Sequence, residues 1–408
     1  MPAPTLTSLT KTDSFEFLCA CARTTLRPEH LSLISGADYE SFDWPIFLRL
    51  AEHHAVLPLV ARNLTNYSRQ LPADLGQQLH SLYETNLKRN LWFASELGRI
   101  LGHLEKARVR AIAYKGPVLA ESAYGDLGLR SFSDLDLLIS PADFNKAKDA
   151  LAEIGYRTSG QLPPAVERFY LRRGYECAFD SSAGKNLVEL QWNLLPHFYA
   201  VNFASADFTI DHLMTRAKSS EVCGREMRSL SPEDSLLALC LHAAKHLWTR
   251  LIWIVDIAQS LDTGRVNSQA CQAPTHDSQA IDMRMVMARA QALGIRRILA
   301  ISLWLSNRLL GAAIPREAQP LIVEDTEVEK YGKKCISRMS DAATYHFESS
   351  AYFREMFKLR ERPADRLRYL WRLVWTPGSG DIGAVELPEI LFPLYHVVRV
   401  GRLLSRLM

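Results

Sequence analysis

Apolar residues recur at helical spacing from Asp13 to about Lys106, most regularly at Leu87, Leu91, Leu97, Leu101 and Leu104, and predict a helical N-terminal region. Breaks are expected near Pro45, Pro58 and Pro72. The period then changes. RVRAIAYKG is a short β-branched and apolar run closed by Gly-Pro, and Pro117 suits the first turn of a helix over Val118–Tyr124. After the turn-rich GDLGLRSFS comes DLDLLIS, in which Leu135 and Leu137 face one way while Asp134 and Asp136 face the other. Pro141 opens a helix running to Gly155, and YECAFD and NLVELQWNL read as strands joined by the turn SSAGK. From Pro232 the helical period returns through LLALCLHAAKHLW, LIWIVDIAQSL, Met283–Leu310 and the Arg-rich Phe353–Trp375. Ser231 is the expected N-cap of the first of these helices, with Asp234 at the capping-box position. A polar loop is expected over Asn267–Asp277.

These patterns predict an α+β chain, with a small mixed β-sheet core over 108–228 between a helical N-terminal region, 1–107, and a C-terminal helical domain, 229–408. With 48% hydrophobic and 23% charged residues the composition is that of an ordinary globular protein, not a disordered or fibrous one. A net charge of +3 over 408 residues makes no global basic field, so an anionic ligand must be met locally. Seven cysteines without a repeated CxxC spacing fit a reduced chain better than a disulfide framework or a zinc module, and Cys19 and Cys21 read as core residues of a helix. The opening MPAPTLTSLTKTD lacks a basic start followed by an apolar run, so no secretory signal and a cytoplasmic location are expected. Asn307 and Arg308 interrupt the apolar stretch Ile298–Ile314, and Pro393, His396 and Arg399 interrupt Ile390–Val400, so no integral membrane association is expected. The basic, amphipathic VVRVGRLLSRLM fits either a docked terminal helix or contact with an acidic surface.

Two aspartates one residue apart on a strand project on the same side, about 7 Å apart at their roots, and can grip a hard cation between them. Such a pair needs a third acid from a neighbouring strand, and Glu189, between Val188 and Leu190, is the best candidate. The alternative is that Asp134 and Asp136 lie on the wet face of an edge strand. Upstream, a strand ending in Lys115-Gly116 at a helix start can offer backbone N–H groups and a cation to phosphates, and Arg130 can add a second positive contact.

His242 and His246, four apart on one helix face, leave three readings open: zinc ligands, a polar lining of a substrate cleft, or helix packing. Ala243 stands where HExxH has its acid. Lys245 and Asp256 are either substrate contacts or part of a solvated helix face. Arg366, Arg368, Trp371, Arg372 and Trp375 either stack on bases or form one face of an amphipathic helix. The absence of GxxxxGK[ST], of GxGxxG in a βαβ setting and of GxSxG argues against a Walker-type kinase, a dinucleotide oxidoreductase and a serine hydrolase.

In order along the chain, YKGPVLAESAY, LRSFSDLDLLI, LAEIGY, ELQW and LCLHAAKHLWTRLIWIVDIA resemble the nucleotidyltransferase superfamily, of polymerase-beta-like fold. The closer similarity is to a bacterial group described only as an uncharacterised nucleotidyltransferase family, and it extends over most of the chain. The resemblance implies a transferase that moves a nucleoside monophosphate from a nucleoside triphosphate such as ATP to a hydroxyl acceptor. Asp134, Asp136 and Glu189 would be catalytic and hold Mg²⁺ or Mn²⁺. Lys115, Gly116, Arg130 and Ser133 would meet the triphosphate, and Gln191, His242, Lys245 and His246 the substrate. A small hydroxylated molecule is the expected acceptor, with a protein or the end of a tRNA as rival and a non-catalytic nucleotide-binding or scaffold protein as a further alternative. Two residues depart from the pattern: Pro117 offers neither hydroxyl nor N–H after Gly116, and Gln191 stands where the closer group tends to have His, so it cannot carry a proton.

Overall fold

The computed structural model of the chain describes residues 11–405 except 38, 40–41, 69–70, 161–163, 173, 204–206, 270–280, 343–348 and 386. Five helices come first: α1 (Lys11–Cys21), α2 (Pro28–Ser35), α3 (Trp44–His53), α4 (Leu57–Tyr67) and α5 (Ala73–Lys106). The prolines expected as breaks start helices. Pro45 and Pro58 lie in the first turns of α3 and α4 and Pro72 caps α5, where a missing N–H is harmless and a fixed φ is already helical. At 34 residues α5 is about 50 Å long. Cys19 and Cys21 are buried core residues of α1, as read.

The chain then builds β1 (Ala111–Ala113), α6 (Gly116–Leu119), β2 (Leu135–Ile139), α7 (Phe144–Glu153), β3 (Arg157–Thr158), α8 (Pro164–Leu171), β4 (Glu176–Ser181) and β5 (Gly184–Gln191). The sheet order is β1-β2-β5-β4-β3; β2 and β5 run parallel and the other pairs antiparallel. β2 is therefore an interior strand, buried at all five positions; it contains Asp136 but starts one residue after the half-buried Asp134, so the two aspartates do not share a strand, and the wet-edge reading of the pair does not hold. Register places Asp136 opposite Glu189 and Gln191 opposite Glu176. Paired residues share a face, so these four side chains stand together on one side with Ile112 and Leu138. Leu137, Val188, Leu190 and Phe179 point the other way, into a core shared with α5 and α7.

Two local features differ from expectation. The helix expected over Val118–Tyr124 starts at Gly116 and, after Leu119, widens into a single π turn over Ala120–Tyr124. After α9 (Ile210–Arg216) an unexpected hairpin forms from β6 (Lys218–Val222) and β7 (Arg225–Ser229). Its strands are mostly exposed and polar, so they lack the apolar alternation that marks a strand. The legible signal was Gly224, whose φ of 75° follows 50° at Cys223 in a two-residue turn.

The remaining helices are α10 (Pro232–Lys245), α11 (Leu251–Gln269), α12 (Met283–Leu293), α13 (Arg296–Leu310), α14 (Gln319–Val323), α15 (Thr326–Ser340), α16 (Ser350–Lys358), α17 (Pro363–Trp375), α18 (Ser379–Ile382) and α19 (Tyr395–Ser405). Many of them share one apolar core with the N-terminal helices and with Ile112 and Leu138 of the sheet. Ser231 caps α10, its Oγ accepting from Asp234 N at 3.2 Å. Asp234 is buried between Arg216 at 2.9 Å and Arg289 at 2.7 Å, so its carboxylate closes ion pairs where a capping box was expected. Of the polar loop expected over Asn267–Asp277, the first three residues end α11 and the rest lie outside the described residues. α19 docks through buried Arg399, which pairs with Asp381 at 3.3 Å, and Arg402 reaches the same carboxylate at 2.6 Å. Among the described residues no helix is long and apolar enough to cross a membrane. The Arg and Trp cluster lies on α17, with Trp371 63% and Trp375 44% exposed.

Candidate active site

The Lys-Gly turn is shaped by the strand it packs against. Gly116 adopts a φ of +55°, and a Cβ there would stand 3.3 Å from the backbone oxygen of Asp134, so a side chain is disfavoured twice over. Downstream, the loop entering β2 is buried, and its carbonyls need donors from elsewhere. Two asparagines one turn apart on α5 supply them: Asn86 Nδ2 donates to Gly128 O at 2.8 Å and Asn90 Nδ2 to Arg130 O at 2.8 Å. A Cβ at Gly128 would lie 2.8 Å from the outer end of the Tyr83 ring, so a larger residue there requires that side chain to move.

This scaffold and the sheet register bring the three acids together on the wall of a polar cavity of about 540 Å³. Lys115, Arg130, Ser133, Gln191, His242, Lys245 and His246 line the same cavity. Lys115 Nζ lies 2.7 Å from Asp136 Oδ1. The Gln191 amide is the hub of the acids: Nε2 donates to Glu189 Oε2 at 2.9 Å and to Asp136 Oδ1 at 3.0 Å, and lies 3.4 Å from Glu176 Oε2. Tyr114 fixes the amide's orientation by donating to Oε1 at 2.6 Å. Glu176 is a fourth acid that sequence reasoning missed. Tyr175 donates to its carboxylate, and Lys245 donates to Tyr175 Oη at 2.8 Å. Nothing in YECAFD marks Glu176, because only the pairing of β4 with β5 sets it beside Gln191.

The electrostatics follow from crowding acids in a buried cleft. Burial, then the Asp136 charge, pushes the Asp134 carboxyl up to about 6. Burial, then Asp136 and Glu176, pushes Glu189 up to about 8. Lys115 opposes both shifts. Burial, the largest single influence, works against the Lys115 ammonium, but Asp136 together with the other acidic groups around it outweighs burial and holds its pKa above the ordinary lysine value. Since the folded state binds protons here more tightly than the unfolded chain, stability is full below the ordinary carboxylate range and is lost as pH rises through about 6 and 8. Without divalent cations, folding stability is expected to fall by on the order of 2–4 kcal/mol between pH 5 and 9. Thermal melts across that range test this, and Glu189→Gln should remove most of the slope; an unchanged slope in the variant would refute the assignment.

Arg130 is engaged. Its Nε lies 2.8 Å from Asp256 Oδ1 and its Nη2 2.9 Å from Oδ2, and the Tyr124 hydroxyl donates to Oδ1 at 2.5 Å. The π turn carrying Tyr124, the loop carrying Arg130 and helix α11 are thereby tied at one buried carboxylate. The expected second phosphate cation is thus already matched by an acid. His242 Nδ1 lies 3.5 Å from Lys115 Nζ, which has only protons to give, so this ring nitrogen accepts. Burial, then the Lys115 charge, lowers its pKa well below the usual value. The His242 and His246 rings are 4.8 Å apart, and among the described residues no group of three or more His, Cys, Asp or Glu, the three acids of the cavity included, stands arranged to hold a metal ion. That leaves zinc without support and the cleft-lining reading consistent with the geometry.

Comparison with curated proteins and with solved structures finds no match. A family model described as uncharacterised nucleotidyltransferase matches residues 40–311, a span that begins between α2 and α3, runs through α13 and contains every residue named above in the cavity. The chain belongs to this uncharacterised nucleotidyltransferase family.

Proposed function

We propose that the chain transfers a nucleoside monophosphate from a nucleoside triphosphate, ATP among the candidates, to a hydroxyl of a small-molecule acceptor. The observation that carries this reading is that Asp136 and Glu189, on one sheet face, and Asp134, one residue before β2, line the same cavity as Lys115, a cavity of about 540 Å³, within the size range of small-molecule sites. The donor chemistry suits a hard divalent cation, being all oxygen, but to hold one the acids would have to exchange their present contacts with Lys115 and Gln191 and draw together around it; burial, then the neighbouring acids, pushes Glu189 to about 8. Asp134, Asp136 and Glu189 would hold Mg²⁺ or Mn²⁺, which when bound neutralises triphosphate charge and aligns the reacting groups. In the transfer, the bond from the acceptor oxygen to the α-phosphorus forms and the bond from that phosphorus to the pyrophosphate oxygen breaks. One of the three carboxylates would take the acceptor's proton. Lys115 would balance the charge of the departing pyrophosphate, exchanging its present pairing with Asp136. Gln191 cannot move a proton; it orients Asp136 and Glu189. Arg130, held by Asp256, sets the position of the loop that ends at Asp134.

A second reading, nucleotide binding without turnover, is favoured by the Lys115 to Asp136 ion pair and the Gln191 amide, which already engage the acids within the protein. Incubation with Mg²⁺ or Mn²⁺ and each α-labelled triphosphate, with and without cell extract, separates the two. Label moved to an acceptor by the native chain but not by an Asp134→Ala, Asp136→Ala double variant supports transfer, and the acceptor's size gives its class. Metal-dependent binding without transfer under any condition supports the second reading, and no binding at all refutes both.

A further inference from the structure

One wall of the cavity is built from aromatic rings that the phosphate chemistry does not use. The His246 and Trp253 rings are stacked, 4.8 Å between centroids and 25° from parallel, and the His242 ring stands edge-on to Trp253 at 5.7 Å. All three line the cavity that holds the acids, with Arg250 at its exposed edge. Trp253 is only half-buried, whereas nearby Trp248 is wholly enclosed.

The backbone is shaped to bring these rings together. The turn between α10 and α11 contains two consecutive non-glycine residues in the left-handed region, Leu247 at φ 55° and Trp248 at φ 51°. Such residues persist only where their surroundings over-determine them. Here both side chains are fully buried, and Trp248 Nε1 donates to Ser302 Oγ at 3.0 Å. The start of α11 is held from the N-terminal region: Leu251 N donates to His54 Nδ1 at 3.1 Å and Ile252 N to His54 O at 3.2 Å. The turn thus sets His246, at the end of one helix, against Trp253, in the first turn of the next. Burial, then the Lys245 charge, holds His246 neutral down to about pH 3. An uncharged face of imidazole and indole does not compete for phosphate and suits a flat π system. His242 joins this wall to Lys115 at 3.5 Å, so the rings and the phosphate-facing cation belong to one continuous site.

We propose that His246 and Trp253 form the nucleobase subsite of the nucleotidyl donor. The assignment rests on reading the cavity as a nucleotidyl-transfer site. It places the base along α10 and α11 and the triphosphate at the carboxylates and Lys115.

The test is equilibrium binding of the full chain, with Mg²⁺, to ATP, GTP, CTP and UTP and, as a base-free probe, to inorganic triphosphate. Trp253→Ala is expected to weaken the best-bound nucleotide by about 10- to 100-fold while leaving inorganic triphosphate unchanged, and Trp253→Phe to retain most of the nucleotide affinity. The base-free probe also reports whether each variant has kept its site folded. Native affinity for nucleotide in Trp253→Ala would overturn the subsite and leave the transfer site standing. Undiminished nucleotide binding with lost transfer in that variant would hand the rings to the acceptor, which likewise overturns it. If the native chain binds neither nucleotide nor inorganic triphosphate, the transfer reading fails and the subsite with it.

Discussion

Replacing Asp136 by Asn is expected to lower nucleotidyl transfer by about a thousandfold or more, equivalent to some 4 kcal/mol of lost transition-state stabilisation. Asp136 is the most enclosed of the acids, 4% exposed, and sits at the centre of the cluster, touching Lys115 and Gln191 and facing Glu189 in the adjacent strand. The substitution keeps its shape and removes its charge. Breaking an isolated buried ion pair destabilises a fold by about 3–5 kcal/mol. Here the loss is offset, because the same negative charge raises the carboxyls of Asp134 and Glu189. Activity and stability should therefore separate: transfer collapses while the denaturation midpoint moves little. Transfer of label from an α-labelled triphosphate, beside a melt of the same preparation, measures both. A variant keeping more than a tenth of native transfer would exclude Asp136 from the chemistry.

Asp256→Ala is the substitution expected to damage the fold most. Arg130 is 6% exposed and cannot shed its proton, so removing its carboxylate leaves a buried charge unmatched and the Tyr124 hydroxyl without its acceptor. The expected loss is about 3–5 kcal/mol, read from chemical denaturation. Replacing both partners, Arg130→Met with Asp256→Leu, should restore most of the stability, because well-packed apolar groups of similar volume replace a buried pair at little penalty. The double variant also decides Arg130's part in function. Recovered transfer would confine it to holding the loop before β2; a stable but inactive protein would show that the guanidinium meets the triphosphate. Stability of the single variant within 1 kcal/mol of native would contradict the buried-pair argument.

How much of this was legible beforehand depends on the range of the interaction. The strand at LDLLI and the Lys-Gly turn are local signals and appear where their residues predict, with Asp134 left just outside the strand, while Pro45 and Pro58, expected as breaks, open α3 and α4. Glu189 was legible as a strand acid flanked by apolar neighbours, and the parallel pairing of β2 with β5 places it opposite Asp136. Glu176 carries the same local signature as any strand acid. Its place at the site comes from strand order, which nothing nearby in the sequence encodes. The β6–β7 hairpin escaped for the opposite reason: its exposed polar strands bury too little to leave an apolar pattern.

The sequence by itself determined the local features: an α+β chain with a Lys-Gly turn, an aspartate at the entry to a strand and another within it, and a later strand acid, because periodicity and turn chemistry act over a few residues. Only the tertiary structure decided which groups neutralise one another. Arg130 meets an aspartate 126 residues away, Lys115 meets Asp136 across the turn, and Gln191 gathers acids from three strands. Those pairings are settled by burial. Once packing removes water, every charge must find a partner within reach, and the partner within reach is fixed by how helices and strands stack, whatever their order along the chain.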